Sequence, residues 1–202
     1  MIHIVMPFSR NHLVKQIKKN YRDLGIILHP IQHEYVEWGE EWIKPLLYTE
    51  KDSFDICYSK LNFFKRNNNI IDDDYYWVQG DDDLIEPELI EKIKSMNYDV
   101  IVVSEKTGTD VPTSGSNCEI GILWAIPENM KKWRVGLAQI VMKGKFFKEA
   151  MYREDTNIGD GYMGEYVKEH YNVHYEPELF VKHNYYQPGR WERLGDEKFI
   201  EE

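Results

Sequence analysis

The sequence lacks several features that would assign it to large classes of protein. It has only two cysteines, Cys57 and Cys118, with no Cys-x-x-Cys pair, so no disulfide framework is expected. No apolar run approaches the roughly 18 residues that a transmembrane helix requires, and the N-terminal residues include no basic leader of a signal peptide. We therefore expect reduced thiols, no membrane-spanning segment and a cytoplasmic location.

Positive charge is also scarce. The chain has 25 Lys and Arg residues against 35 Asp and Glu residues, a formal net charge of −10, and it has no block rich in Lys or Arg. Proteins that bind nucleic acid through its phosphates carry a basic patch or stripe, so no nucleic-acid partner is expected. The acidic excess is compatible with a bound cation, although an acidic, soluble surface is the commoner explanation.

The 202 residues do show an alternation of strand and helix patterns, which predicts one α/β domain. An apolar run at 2–6, a helical pattern from Asn11 and a second apolar run at 25–31 predict a βαβ unit with parallel strands. Further strands are predicted at 75–80, 99–105 and 119–126, and further helices at 54–66, from Pro87, from Pro127 to Ile140, and at 159–170. The domain is expected to span 1–191, with a charged tail at 192–202.

The segment "NIIDDDYYWVQGDDDLIEPELI" contains the same aspartate triplet twice. Asp72–Asp74 precede a predicted strand, where Asp and Asn commonly form turns. Asp81–Asp83 follow that strand, and ligands of open α/β sheets bind outside the carboxyl ends of strands. Adjacent carboxylates there suit Mg²⁺ or Mn²⁺, which prefer oxygen ligands. A solvated turn is the alternative, but the position after a hydrophobic strand favours the second triplet as the site.

Three motifs together resemble GT-A glycosyltransferases, particularly the inverting family 2 type. An apolar strand followed by the triplet and "LIEPELI" resembles the DxD region of that family. The opening "HIVMPFSRN" is similar to its first strand and nucleotide-binding loop, and "KRNNNI" is similar to its Arg-Asn segment. The likeness extends loosely from residue 2 to about residue 191. It implies a GT-A fold, which is a Rossmann-like, mostly parallel sheet with flanking helices.

The resemblance also implies a nucleotide-diphospho-sugar donor held on Mn²⁺ or Mg²⁺. Asp83 would be a direct metal ligand, Asp81 would face the ribose or reach the metal through water, and His183 would complete the metal sphere. A partly buried histidine with ordinary hydrogen bonds is the alternative for His183. The implied donor-binding residues are Pro7, Ser9, Arg10, Arg66, Asp81, Asp82, Arg190 and Trp191.

The segment "TNIGDGYMGEYV" resembles the region in which family 2 enzymes carry the general base, and the match falls on Asp160. The preceding Glu of the family is Gly159 here. An Asp before a helix is also a good N-cap, so both roles remain open. Glu165 and Asp155 are the reserve candidates for the base.

The function implied is transfer of a sugar, from UDP in preference to GDP, to an acceptor hydroxyl with inversion. A nucleotidyltransferase usually has a Gly-rich phosphate loop after its first strand, and "PFSRN" has no glycine. A non-catalytic nucleotide-binding or sugar-binding module is the third possibility, and the intact triplet argues against it. The acceptor is unknown, and the acidic net charge makes a polyanionic acceptor less expected.

Overall fold

The structure is a computed structural model, and it describes residues 1–50, 56–106, 121–132, 134–183 and 185. The expected tail at 192–202 lies outside the described residues. The strands are β1 (Ile2–Pro7), β2 (Ile27–Gln32), β3 (Leu46–Leu47), β4 (Tyr75–Val78), β5 (Val100–Lys106), β6 (Ile122–Leu123), β7 (Ile140–Lys143) and β8 (Val173–Lys182). The helices are α1 (Val14–Tyr21), α2 (Ile56–Asn67), α3 (Pro87–Ser95), α4 (Gly144–Glu149) and α5 (Gly159–His170).

The eight strands form one sheet in the order β3-β2-β1-β4-β7-β5-β6, and β8 pairs with β5. The pairs β2–β3, β1–β2, β1–β4 and β5–β8 are parallel. β7 runs antiparallel to both β4 and β5, and β6 runs antiparallel to β5. The predicted α/β class is confirmed, and the mixed sheet is compatible with a Rossmann-like fold.

The position of β1 and β4 in this order creates a crevice at one edge of the sheet. From β1 the chain proceeds to β2 and β3 on one side, and it later adds β4 on the other side of β1. Such a reversal of strand order is a topological switch point, and the crevice outside the carboxyl ends of the two strands is where open α/β sheets bind ligands. The residues that follow Pro7 and Val78 therefore meet at this crevice.

Helices cover both faces of the sheet because alternate residues of its central strands point to opposite sides. Ile2, Ile4 and Met6 of β1 pack in a core with residues of α1 and α3. Val5 packs on the other face in a second core with residues of α2, α4 and α5. In the described residues, no helix combines the length and the apolar character that a membrane crossing requires.

The helix predicted from Pro127 to Ile140 is wrong. The structure has only two short 3₁₀ turns there, Pro127–Asn129 and Leu137–Gln139, instead of one helix. Gly136 lies between these turns, where a β-carbon would come 2.1 Å from the Glu105 carboxylate. Ile140 then begins β7, which inserts between β4 and β5. Its pairing partners are distant in sequence, so local pattern could not reveal this strand.

Two predicted strands also differ from the observed ones. The described part of the run at 119–126 contains only the two-residue strand β6. β5 is almost fully buried as expected, yet two of its neighbours, β6 and β7, are antiparallel to it. Burial on both faces produces a continuous apolar run whatever the direction of the neighbouring strands, so such a run does not by itself identify a parallel sheet.

Replacing Gly144 with Ala should destabilise the fold by about 3 kcal/mol, at the upper end of typical overpacking costs. Gly144 begins α4, and its amide donates to the carbonyl of Asp74 over 2.8 Å. A β-carbon at this position would lie 1.9 Å from the backbone oxygen of Ile71. Because that neighbour is backbone, the chain itself must shift.

Urea unfolding checks this prediction, with Lys145→Ala as the matched control at the next, exposed position. The control should change the free energy of unfolding by less than about 0.5 kcal/mol. Equal unfolding midpoints for Gly144→Ala and the parent chain would contradict the close packing described here.

Candidate functional site

The loop after β1 is held on Asp81, the first residue of the second aspartate triplet. Asp81 Oδ2 accepts hydrogen bonds from the Ser9 amide at 2.7 Å, the Ser9 hydroxyl at 3.1 Å and the Arg10 amide at 2.9 Å. The Arg10 guanidinium donates to Asp81 Oδ1 and lies 3.2 Å from an oxygen of Asp82. Both carboxylate oxygens of Asp81 are thus engaged, and they fix the loop at the switch point.

Asp83 faces a different partner. Its Oδ2 accepts a hydrogen bond of 2.7 Å from the Gly80 amide, and its Oδ1 lies 2.8 Å from His183 Nδ1. The whole triplet is almost completely buried, with exposed fractions of 2%, 4% and 2% for Asp81, Asp82 and Asp83. Buried charges are expensive unless they are paired or bind a cation, so a solvated turn does not describe this triplet.

His183 reaches Asp83 because β8 ends beside the crevice. Its backbone amide donates to the carbonyl of Lys106 over 2.8 Å, which continues the pairing of β8 with β5. Burial lowers the pKa of the imidazole, but the negative charges of Glu105 and Asp83 outweigh this effect and raise the pKa to about 10. The ring is therefore a cation at neutral pH, and Nδ1 donates to Asp83.

Glu105 is a residue of this site that sequence reasoning missed. It lies near the end of β5 and is only 3% exposed, and its Oε2 has no hydrogen-bond partner among the described residues. Burial raises the pKa of its carboxyl to about 7, with His183 acting against the shift and Asp83 and Asp160 adding to it. The available signal was an acid in the otherwise apolar run "DVIVVSE".

Lys60 was also missed. It is buried in α2, and its ammonium donates a hydrogen bond of 2.6 Å to the carbonyl of Phe8, which directly precedes Ser9. Burial lowers the pKa of Lys60, while the charge of Asp81 acts in the opposite direction. The ammonium thus supports the same loop from the helix side, and the signal was a lysine within the apolar pattern of "FDICYSKLNFFKR".

The first aspartate triplet is the turn that was predicted. Asp72 and Asp73 are exposed, and Asp72 pairs with the ammonium of Lys148. Asp74 accepts from the N-terminal amine at 2.8 Å and lies 3.1 Å from His3 Nε2. These contacts lie before β4, at the opposite end of that strand from Asp81–Asp83.

The donor set at the crevice suits a hard divalent cation in type and in charge. The carboxylates of Asp82, Asp83 and Glu105 supply the oxygen ligands that Mg²⁺ and Mn²⁺ prefer, and His183 would add an imidazole nitrogen in its neutral form. Among the residues that the structure describes, no three such groups already converge on one point. Binding would therefore require His183 to lose its added proton and its contact with Asp83, while the unpartnered oxygen of Glu105 would gain a compensating charge nearby.

Asp160 lies in the first turn of α5, and Ile158 is the N-cap of that helix. The N-cap role considered for Asp160 is therefore wrong. Its Oδ1 accepts a hydrogen bond of 2.7 Å from the adjacent Gly161 amide. Its negative charge contributes to the raised pKa of Glu105. Of the reserve candidates, Glu165 accepts a hydrogen bond of 3.3 Å from the Lys132 amide, and Asp155 pairs with Arg153.

Of the other predicted donor-binding residues, some lie at the crevice and others do not. Pro7 ends β1 at the crevice, next to the loop that Asp81 holds. Arg66 is not brought to this group: near the end of α2 its guanidinium lies 2.7 Å from Glu50 and 3.9 Å from Glu154. Arg190 and Trp191 lie outside the described residues.

No protein-family model matches the chain, and no curated protein matches it.

Proposed function

We propose that this protein is a metal-dependent glycosyltransferase that moves a sugar from a nucleotide-diphospho-sugar to an acceptor hydroxyl. The observation that carries the proposal is the buried triplet Asp81–Asp83 at the switch point of the sheet, bonded to the loop that follows β1. A crevice of this kind suits a nucleotide. A buried group of acids beside it suits the cation that accompanies a diphosphate.

In this proposal different residues bind the nucleotide and the metal ion of the donor. The loop formed by Pro7, Ser9 and Arg10 lines the nucleotide, and Asp81 holds that loop in place through its three backbone and hydroxyl contacts. Asp83 and His183 are the proposed metal ligands. When bound, Mn²⁺ or Mg²⁺ would stabilise the negative charge that develops on the diphosphate leaving group.

Asp160 is the proposed general base, which takes the proton from the acceptor hydroxyl as its oxygen attacks the anomeric carbon. One positioned base and a direct attack would invert the configuration at that carbon. Its support is the first turn of α5, from which its charge acts on Glu105 of the same group. UDP is the proposed nucleotide of the donor, and a cytoplasmic setting is proposed because Cys57 forms no disulfide within the described part of the chain.

Thermal unfolding with UDP or GDP, each with and without Mn²⁺, tests the proposal. A ligand present at 100 times its dissociation constant should stabilise the fold by about 2.7 kcal/mol. Each kcal/mol should raise the unfolding midpoint of a chain of this size by roughly 2–4 °C. We expect a shift with UDP that requires Mn²⁺.

The control ligands are the matching nucleoside triphosphates and Mn²⁺ alone. A larger shift with a triphosphate than with any diphosphate would favour a nucleotidyltransferase instead. No shift with any nucleotide would overturn the proposed function.

A further inference from the structure

A group of cations lies on the loop that leads from the first 3₁₀ turn toward Gly136, in a protein that is acidic overall. Lys131 is exposed, Lys132 and Arg134 are partly exposed, and the Arg134 amide donates to the carbonyl of Lys131 over 3.1 Å in one turn. Neither Lys131 nor Arg134 has a carboxylate partner within the described part of the chain. This loop therefore has a local excess of positive charge, although the net charge of the chain is −10.

This loop is anchored to α5, the helix that carries Asp160. The Lys132 ammonium lies 3.9 Å from a carboxylate oxygen of Glu165. The Lys168 ammonium donates to the carbonyl of Pro127 over 2.7 Å. A β-carbon at Gly164 would come 2.6 Å from a methyl group of Val135, so helix and loop pack closely at this point.

The aromatic ring of Tyr162 brings a second cation to the same place. The Lys132 ammonium lies 4.0 Å from the centre of the ring, and the Arg153 guanidinium carbon lies 4.3 Å from it. The side chains of both cations stay partly open to solvent, with exposed fractions of 39% and 48%. Arg153 also donates two hydrogen bonds to Asp155, which orient its guanidinium.

The loop ends at the candidate active site. Gly136 follows Arg134 by two residues, and its backbone lies against the carboxylate of Glu105. Glu105 in turn lies close to Asp160 and His183. A sugar whose hydroxyl approaches Asp160 would thus approach α5, the helix whose Tyr162 ring is flanked by Lys132 and Arg153.

We propose that Lys132 and Arg153, which lie against the ring of Tyr162, and Arg134, on the same loop as Lys132, bind an anionic group of the acceptor, such as the phosphate or carboxylate of an acidic sugar. Calling the bound sugar an acceptor rests on the proposed function, but binding of the anionic group does not require the nucleotide-sugar donor. An Arg or Lys donor to a phosphate or carboxylate forms a strong, charge-assisted hydrogen bond.

Isothermal titration calorimetry with glucose 6-phosphate and with glucose tests the proposal. The titrations use the full chain in EDTA, and they are repeated with UDP and Mn²⁺. We expect glucose 6-phosphate to bind at least tenfold more tightly than glucose. The double variant Lys132→Gln/Arg134→Gln should lose about tenfold in affinity for glucose 6-phosphate and nothing for glucose.

The matched control is Lys15→Gln/Lys19→Gln, which removes two exposed cations from α1 on the opposite face of the sheet. It should leave both affinities unchanged. Equal affinities for the two sugars, no binding of either, or the same loss in the control would overturn the acceptor proposal. Failure of the UDP and Mn²⁺ test alone would overturn the proposed function and leave the anion site standing, because the EDTA titrations require neither.

Discussion

Replacing Asp83 with Asn should lower the rate of sugar transfer by at least about 100-fold, the cost typical of removing one group that stabilises developing charge. Both oxygens of Asp83 act as acceptors, one from the Gly80 amide and one from His183 Nδ1. An Asn side chain has a single oxygen, so one of these contacts would become a pair of facing donors. The substitution also removes a negative charge from the proposed cation site.

The measurement is release of nucleoside diphosphate in the presence of Mn²⁺, with the donor and acceptor that the binding tests identify. Asp73→Asn is the matched control, because it makes the same chemical change in the exposed first triplet. The control should retain the parental rate. Circular dichroism should show that both variants are folded, and a fully active Asp83→Asn protein would eliminate Asp83 as a metal ligand.

Replacing Lys65 with Met should stabilise the protein at neutral pH by a few kcal/mol. Lys65 is buried in α2, where its ammonium donates to the carbonyl of Ala150 and lies 4.2 Å from the ring centre of Phe147. Burial lowers the pKa of this ammonium from 10.5 to about 7. Met has nearly the same volume and carries no charge, and its cost is the unpartnered carbonyl that it leaves.

The gain from Lys65→Met should shrink as the pH rises from about 7 to about 10. In this window the unfolded chain keeps the proton of Lys65 while the folded chain has lost it. Stability rises with pH wherever the unfolded state binds more protons, so the parent protein gains stability and the variant does not share this increase. Below pH 7 both states of the parent are protonated, and the difference between the two proteins should be constant.

Urea unfolding of both proteins at several pH values measures this difference. Lys148→Met, at an exposed lysine of α4, is the control and should show no pH-dependent difference from the parent in the same range. A difference between Lys65→Met and the parent that stays constant from pH 7 to pH 10 would mean that the folded pKa of Lys65 is not lowered.

Local patterns predicted much of the first half of the fold. The apolar run of β1, the period of Leu13 and Ile17 and the run of β2 are short-range signals, and the βαβ unit they predict is confirmed. Pro87 at the first position of α3 and the pattern of α5 were read correctly for the same reason. The largest failure lies between Pro127 and Lys143, where the positions of Gly136 and the strand β7 depend on Glu105, β4 and β5, all distant in sequence.

The sequence by itself determined that the chain is an α/β protein with an acidic triplet at the carboxyl end of a buried strand. Only the tertiary structure decided what that triplet contacts. The Ser9 amide and Asp81 are 72 positions apart, and His183 and Asp83 are 100 positions apart. Glu105 carries an ordinary carboxyl group until the fold buries it beside Asp83 and Asp160. Hydrophobic period is encoded over a few residues, whereas burial and charge pairing depend on which distant strands become neighbours.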